Sequence, residues 1–213
     1  MRTILLAVAA ALPLSVLPAC GQAQPLDGGP VSLTASTPNA SGWQAVEVVG
    51  GLEHPWGVTW LPDGRALLTE RTGDLRLMNA DETLHPDPIK GVPEVLAHRQ
   101  GGLLDVQLHP EFASNQLVYI SYAHGTPDAN HTRVARGKLV GHELEDVEVI
   151  FKAVPDKSRG FHYGCRLLFL GDGTMLITIG EGAKEDPSQD MSTHMGKIVR
   201  IRDDGSPATD NPF

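Results

Sequence analysis

Apolar and polar residues alternate over short distances along most of this chain, and turn residues interrupt the alternation every few positions. Short alternating runs of this kind read as β-strands, whose side chains point to opposite faces with a period of two. The runs are Ala45–Val49, Gly57–Trp60, Ala66–Thr69, Asp74–Met78, Leu104–Leu108, Leu117–Tyr122, Thr132–Leu139 and Val147–Phe151. Arg166–Leu170, Thr174–Ile179 and Lys197–Arg202 complete the series. No stretch sustains a period of 3.6, so the pattern predicts an all-β fold: a sandwich, a barrel or a propeller.

An internal repeat separates these choices. Val58 to Thr69 reads strand, turn, strand, with Pro62-Asp63-Gly64 at the turn. Leu167 to Thr178 repeats it almost letter for letter around Gly171-Asp172-Gly173. Val106 to Phe112, leading to Leu117–Ser121, is a looser copy with a longer turn. The apolar positions match as well as the turn chemistry. The copies lie roughly 50–60 residues apart, and a four-stranded propeller blade takes roughly 40–50 residues. Three copies predict about three blades of a β-propeller. Three blades cannot close a ring, so the pattern predicts the N-terminal part of a longer protein.

The first residues break the pattern. Met1-Arg2-Thr3 carries one positive charge, and Ile4–Leu12 is unbroken apolar sequence. A basic start, a short apolar run and a small residue before the cut predict a secretory signal over residues 1–20. The run is too short to span a bilayer. Leu17-Pro18-Ala19-Cys20 resembles a bacterial lipoprotein box, with Cys20 as the lipidated residue. The expected location is therefore the periplasmic side, with membrane contact only through the lipid. Residues 21–42 are rich in Gly, Pro, Ser, Thr and Ala and read as a flexible linker, so the folded domain is placed over residues 43–213. The remaining cysteine, Cys165, then has no partner and reads as a small buried residue.

Composition adds limits. The net charge of −9 argues against a nucleic-acid partner. The chain has no HExxH, CxxC, GxGxxG, P-loop or GxSxG. Two segments carry concentrated polar and glycine residues directly before a predicted strand: His98–Asp105 and Ser158–Arg166. In a propeller such strands begin near the central channel, which places Gln100 and His162 toward a common axial ligand.

Six motifs in succession then carry a resemblance. They are Gly51–Gly57, Leu61–Gly64, Gln100–Asp105, His109–Phe112, His162–Leu167 and Gly196–Arg200. In this order and spacing they resemble the glucose/sorbosone dehydrogenase family, the soluble aldose dehydrogenases that use pyrroloquinoline quinone (PQQ). The resemblance runs from about Val46 to Phe213 and implies a six-bladed propeller, of which this chain is similar to the first half. It implies His162 as the catalytic base and Gln100 as a contact to the quinone. His98 and Arg166 lie in matching motifs without an implied chemical role. The implied cofactors are PQQ and calcium, and the calcium ligands are expected beyond Phe213. The implied partners are an aldose sugar, oxidised at its anomeric hydroxyl to the lactone, and an external electron acceptor. Two positions depart from the family. Phe161 stands where Asn or Asp is usual, and Gly164-Cys165-Arg166 replaces Gly-Gly-Arg. A non-catalytic binding propeller and a propeller lactonase remain as alternative readings; the lactonase would need several channel-facing carboxylates.

Overall fold

The computed structural model describes residues 45–212. The expected signal, the Cys20 lipidation site and the linker lie outside the described residues. Residues from Val49 onward form one compact unit.

Ten strands are described in this unit. Strands β1 (Pro55–Trp60), β2 (Ala66–Glu70) and β3 (Leu75–Met78) form one antiparallel sheet. Strands β4 (Leu103–Leu108), β5 (Leu117–Thr126), β6 (Ala129–Val140) and β7 (Glu143–Lys152) form the second. Strands β8 (Gly164–Phe169), β9 (Met175–Ile179) and β10 (Ile198–Ile201) form the third. Each sheet is a simple antiparallel meander in which consecutive strands are neighbours. The Pro62-Asp63-Gly64 turn joins β1 to β2, and Gly171-Asp172-Gly173 joins β8 to β9, as the repeat predicts. The looser copy joins β4 to β5 through a one-turn helix, α1 (Phe112–Asn115). A second single turn, α2 (Asp186–Gln189), precedes β10.

Two expectations are corrected. The run Ala45–Val49 forms no strand, only a single bridge position at Val46, and Gly50-Gly51 follows it directly. Only the middle sheet has the expected four strands among the described residues. That sheet is packed on both faces. Val118, Ile120 and Tyr122 of β5 pack with Leu67, Leu75 and Leu77 of the first sheet. From the opposite face of β5, Tyr119 packs with Leu167, Met175 and Ile177 of the third. The outer sheets leave apolar side chains exposed: Trp56, Val58 and Trp60 on β1, and Leu168 and Ile198 on the third sheet.

The first strands of the sheets stand together, β1 against β4 and β4 against β8. Each carries a β-bulge near its start, where the register slips between Pro55 and Val58, Leu103 and Val106, and Gly164 and Leu167. A bulge leaves backbone groups off the ladder and re-aims the strand. One device repairs all three. The N–H of Gly57 donates to Thr69 Oγ1 (2.8 Å), that of Asp105 to Ser121 Oγ (3.0 Å), and that of Arg166 to Thr178 Oγ1 (3.0 Å). These hydroxyls are the last residues of the three sequence repeats. Two of them also donate onward to the next sheet, Thr69 to the Leu104 carbonyl and Ser121 to the Cys165 carbonyl.

Candidate functional site

The loops that enter β4 and β8 meet each other. Gln100 lies three residues before β4 and His162 two residues before β8. The His162 N–H donates to Gln100 Oε1 at 2.9 Å, and the Gln100 N–H donates to the Gly160 carbonyl at 3.0 Å. The two residues singled out in the sequence are therefore in direct contact. His162 adopts a left-handed backbone with φ of +50°, which costs a non-glycine residue roughly 1 kcal/mol and needs surrounding contacts to hold it.

The imidazole has a partner that sequence reading missed. His162 Nδ1 is hydrogen-bonded to Glu181 Oε1. Glu181 follows β9 and also accepts the Ala183 N–H at 3.2 Å. The hydrogen bond from His162 holds the Glu181 carboxyl below the usual carboxylate range. An ionised carboxylate only accepts, so Nδ1 carries the ring proton and Nε2 is left as the basic nitrogen. With 48% of its side chain exposed, the ring is accessible rather than sealed in the core. The signal that could have found Glu181 is Gly180-Glu181-Gly182, an acidic residue between two glycines directly after a strand.

His162 and Gln100 line a cavity of about 510 Å³. Trp56, Leu104 and Tyr163 give it apolar and aromatic walls, while Arg71 and Arg99 bring two guanidiniums. Arg71 Nη1 donates to the Arg99 carbonyl at 2.9 Å, and its buried Nε has no protein partner. The Arg99 guanidinium lies 5.2 Å from the centroid of the Phe161 ring. Thus Phe161, at the position where the resemblance implies a polar neighbour for the base, serves as a surface for a cation.

His98 and Arg166 do not line this cavity. Arg166 is structural: it reaches back to Asp105 Oδ1 at 2.9 Å, while Asp105 Oδ2 accepts the Leu167 N–H at 2.9 Å. Beneath the site, Tyr163 donates to the buried Asn130 Oδ1 at 2.7 Å. Burial pushes the Tyr163 hydroxyl and the Cys165 thiol each up to about 12. Cys165 is fully buried, as its sequence context predicts. Among the described residues no group of three or more His, Cys, Asp or Glu could hold a metal ion, and no helix is long and apolar enough to cross a membrane.

The chain is similar to known proteins. The family model described as Glucose / Sorbosone dehydrogenase matches residues 52–213. An uncharacterized protein of Synechocystis sp. is 46% identical over 188 residues, covering 80% of this chain and 45% of that protein. The aldose sugar dehydrogenase YliI of Escherichia coli is 40% identical over 166 residues, covering 76% of this chain and 44% of that protein. A solved glucose dehydrogenase superposes with a TM-score of 0.73 at 42% identity, over 76% of this chain and 51% of that one. The PQQ-bound form of an aldose sugar dehydrogenase from Streptomyces coelicolor gives a TM-score of 0.66 at 31% identity, over 78% of this chain and 49% of that one. The chain spans about half the length of the curated relatives it matches.

Proposed function

The chain belongs to the glucose/sorbosone dehydrogenase family, and on that premise we propose that it supplies the general base, His162, of a PQQ-dependent aldose dehydrogenase. The observation that carries this reading is the state of His162. Its N–H donates to Gln100, its Nδ1 is bonded to Glu181, and the residue lines the cavity; on this reading Nε2 is the atom that takes the proton. A general base must present an unprotonated atom within reach of the substrate, in a fixed orientation. The Glu181 contact supports both requirements by fixing the tautomer and the ring plane.

The cavity suits the quinone on chemical grounds. Its volume lies in the range of small-ligand sites, roughly 300–1,000 Å³. Trp56, Leu104 and Tyr163 offer surfaces for a planar ring, and Arg71, Arg99 and Gln100 would hold carboxylate and carbonyl oxygens. The unpartnered Arg71 Nε is a donor still seeking an acceptor. When bound, the quinone supplies the hydride acceptor that no protein side chain provides. His162 Nε2 takes the proton of the anomeric hydroxyl as the C–H bond breaks and the lactone carbonyl forms. Glu181 stabilises the imidazolium that results. We assign calcium to the full site on the family resemblance alone, and no step here passes through it.

The same reading extends to the rest of the molecule. The three sheets are read as blades of a six-bladed propeller. Cys20 is read as a lipidated residue that holds the protein on the periplasmic side, where an external acceptor reoxidises the cofactor. Mass spectrometry that finds a mature N-terminus beyond Cys20 without lipid would remove the anchor.

The test of the base is His162→Ala in the protein as its gene encodes it. Turnover of glucose should fall by about 10²–10⁴-fold, the usual contribution of a general base, while quinone binding, read by its absorbance, persists. Unchanged kcat in a folded His162→Ala protein would remove His162 from the chemistry and leave a binding propeller as the better account.

A further inference from the structure

We propose that Lys157 is a positioning residue for His162, gripping the carbonyls on either side of it so that its imidazole stays on Glu181 and faces the cavity. The proposal rests on the reading of His162 as the base. It concerns a residue that no part of that reading uses.

Lys157 is only 4% exposed, which is rare for a lysine. Its Nζ lies 3.2 Å from the His162 carbonyl oxygen and 3.5 Å from that of Phe161. It also sits 3.7 Å from the centroid of the Tyr163 ring. An ammonium has three donors, and here two backbone carbonyls and one aromatic face receive it. These partners belong to three consecutive residues, with His162 in the middle. Burial pulls the Lys157 amine down to about 8, so the fold holds this cation at a cost. An apolar residue would avoid that cost if filling space were the only need.

The geometry says what the cation does. In an extended chain, consecutive carbonyls point to opposite sides. The carbonyls of residues 161 and 162 can converge on one ammonium only when residue 162 turns into a helical-type conformation, and His162 takes the left-handed one. Lys157 therefore favours the strained backbone of His162 over its extended alternative. Gln100 grips the N–H of the same residue, and Glu181 grips its ring. Lys157 completes the set by gripping its C=O.

The lysine is itself anchored. Its N–H donates to the Asn130 carbonyl at 2.6 Å, and its carbonyl accepts the Asn130 N–H at 2.9 Å. The Asn130 side chain receives the Tyr163 hydroxyl, so strand β6, Lys157 and the His162 loop form a closed frame. Gly182, next to Glu181, has φ of +74° and lies so close that a Cβ there would meet Lys157 Cδ at 2.6 Å. The lysine stem is packed directly under the segment that carries Glu181.

The test uses the protein as its gene encodes it, with Lys157→Met to keep side-chain length while removing the ammonium. Imidazole signals are read by NMR without cofactor, and the His162 signal is assigned by its loss in His162→Gln. Turnover is read with PQQ and glucose. The His162 Nδ1–H signal should shift or vanish, and kcat should fall roughly 10–100-fold, the scale of a misplaced catalytic group. KM for glucose should change by less than about threefold, since an interaction made in the transition state is lost rather than ground-state binding. Lys157→Gln, which can still donate to one carbonyl, should show smaller changes in the same direction and serves if the methionine variant does not fold. An unmoved His162 signal in either folded variant overturns the proposal, whatever the turnover, as does a change confined to KM. A displaced signal with unchanged turnover keeps Lys157 as the holder of His162 and overturns instead the assignment of His162 as base.

Discussion

Between the first and second sheets, the Thr69 hydroxyl receives the N–H of the Gly57 bulge and donates to the Leu104 carbonyl. Between the second and third, Ser121 receives the N–H of the Asp105 bulge and donates to the Cys165 carbonyl. The hydrogen bonds are the same, but what surrounds them differs. The first junction has a glycine at the bulge, set close against Asp105, and beside Thr69 the buried Glu70, which pairs with Arg76. The second has Asp105, which ties two residues of β8, and beside it Tyr163, Lys157 and the His162 loop. One scaffold is thus used twice, and the candidate chemistry is concentrated at the junction where Lys157, Tyr163 and Cys165 lie buried. Separating scaffold from chemistry in this way predicts which changes should hit both junctions and which only one.

The largest effect is expected at the second junction alone. Asp105 is fully buried and accepts both the Leu167 N–H and the Arg166 guanidinium. Asp105→Ala strands a buried N–H and leaves a small cavity, at a cost of about 3–4 kcal/mol in urea unfolding. Arg166 is 61% exposed on its side chain, so Arg166→Ala should cost far less. Equal losses would mean that the ion pair, rather than the backbone contact, is what Asp105 provides.

The next effect should be shared. Thr69→Val and Ser121→Ala each remove one hydroxyl and leave a bulge N–H and a carbonyl unpaired. Each should cost about 2 kcal/mol. A large difference between them would break the equivalence of the two junctions. Gly57→Ala then probes the close approach of the first junction to Asp105 of the second. Its Cβ would approach the Leu104 carbonyl oxygen to 2.9 Å and Asp105 Oδ1 to 3.0 Å, so a small backbone shift is needed. The expected loss is about 1–2 kcal/mol, with turnover per folded molecule retained.

Much of the scaffold could be read from sequence because its turns and alternation are local. Pro62-Asp63-Gly64 and Gly171-Asp172-Gly173 announce their hairpins without reference to anything distant. The ends of the repeats, at Thr69, Ser121 and Thr178, were visible as similar letters, but their task was not. That task depends on bulges, which are a property of strand pairing. The site divides in the same way. Gln100 and His162 each sit in a glycine-rich approach to a strand, and they do meet. Glu181 reaches His162 only after β8 and β9 pair, and Lys157 reaches it through an apolar interior where a lysine is not expected. Ala45–Val49 shows the converse: a good local pattern yields only a single bridge position, at Val46, and no strand.

The smallest effect separates the junctions by pH. Burial lowers the Lys157 amine from 10.5 to about 8. Between those values the unfolded chain binds more protons than the folded one, so stability rises with pH. Burial raises the Cys165 thiol from 9.0 to about 12 and the Tyr163 hydroxyl from 10.0 to about 12. Above their unfolded values the folded chain keeps protons that the unfolded chain has lost, so stability falls as pH rises. From about pH 8 to about pH 9 the Lys157 contribution exceeds that of Cys165, and unfolding free energy should rise by roughly 0.6 kcal/mol, since a full proton difference gives about 1.4 kcal/mol per pH unit. Above that the two raised groups reverse the trend. Lys157→Met should abolish the rise and keep the fall, and Cys165→Ala should make the fall shallower. Gly57→Ala, which leaves Lys157, Tyr163 and Cys165 in place, should lower the whole curve without changing its shape over this range. A pH curve that keeps its rise in Lys157→Met would place the titrating group elsewhere and end the electrostatic contrast between the two junctions.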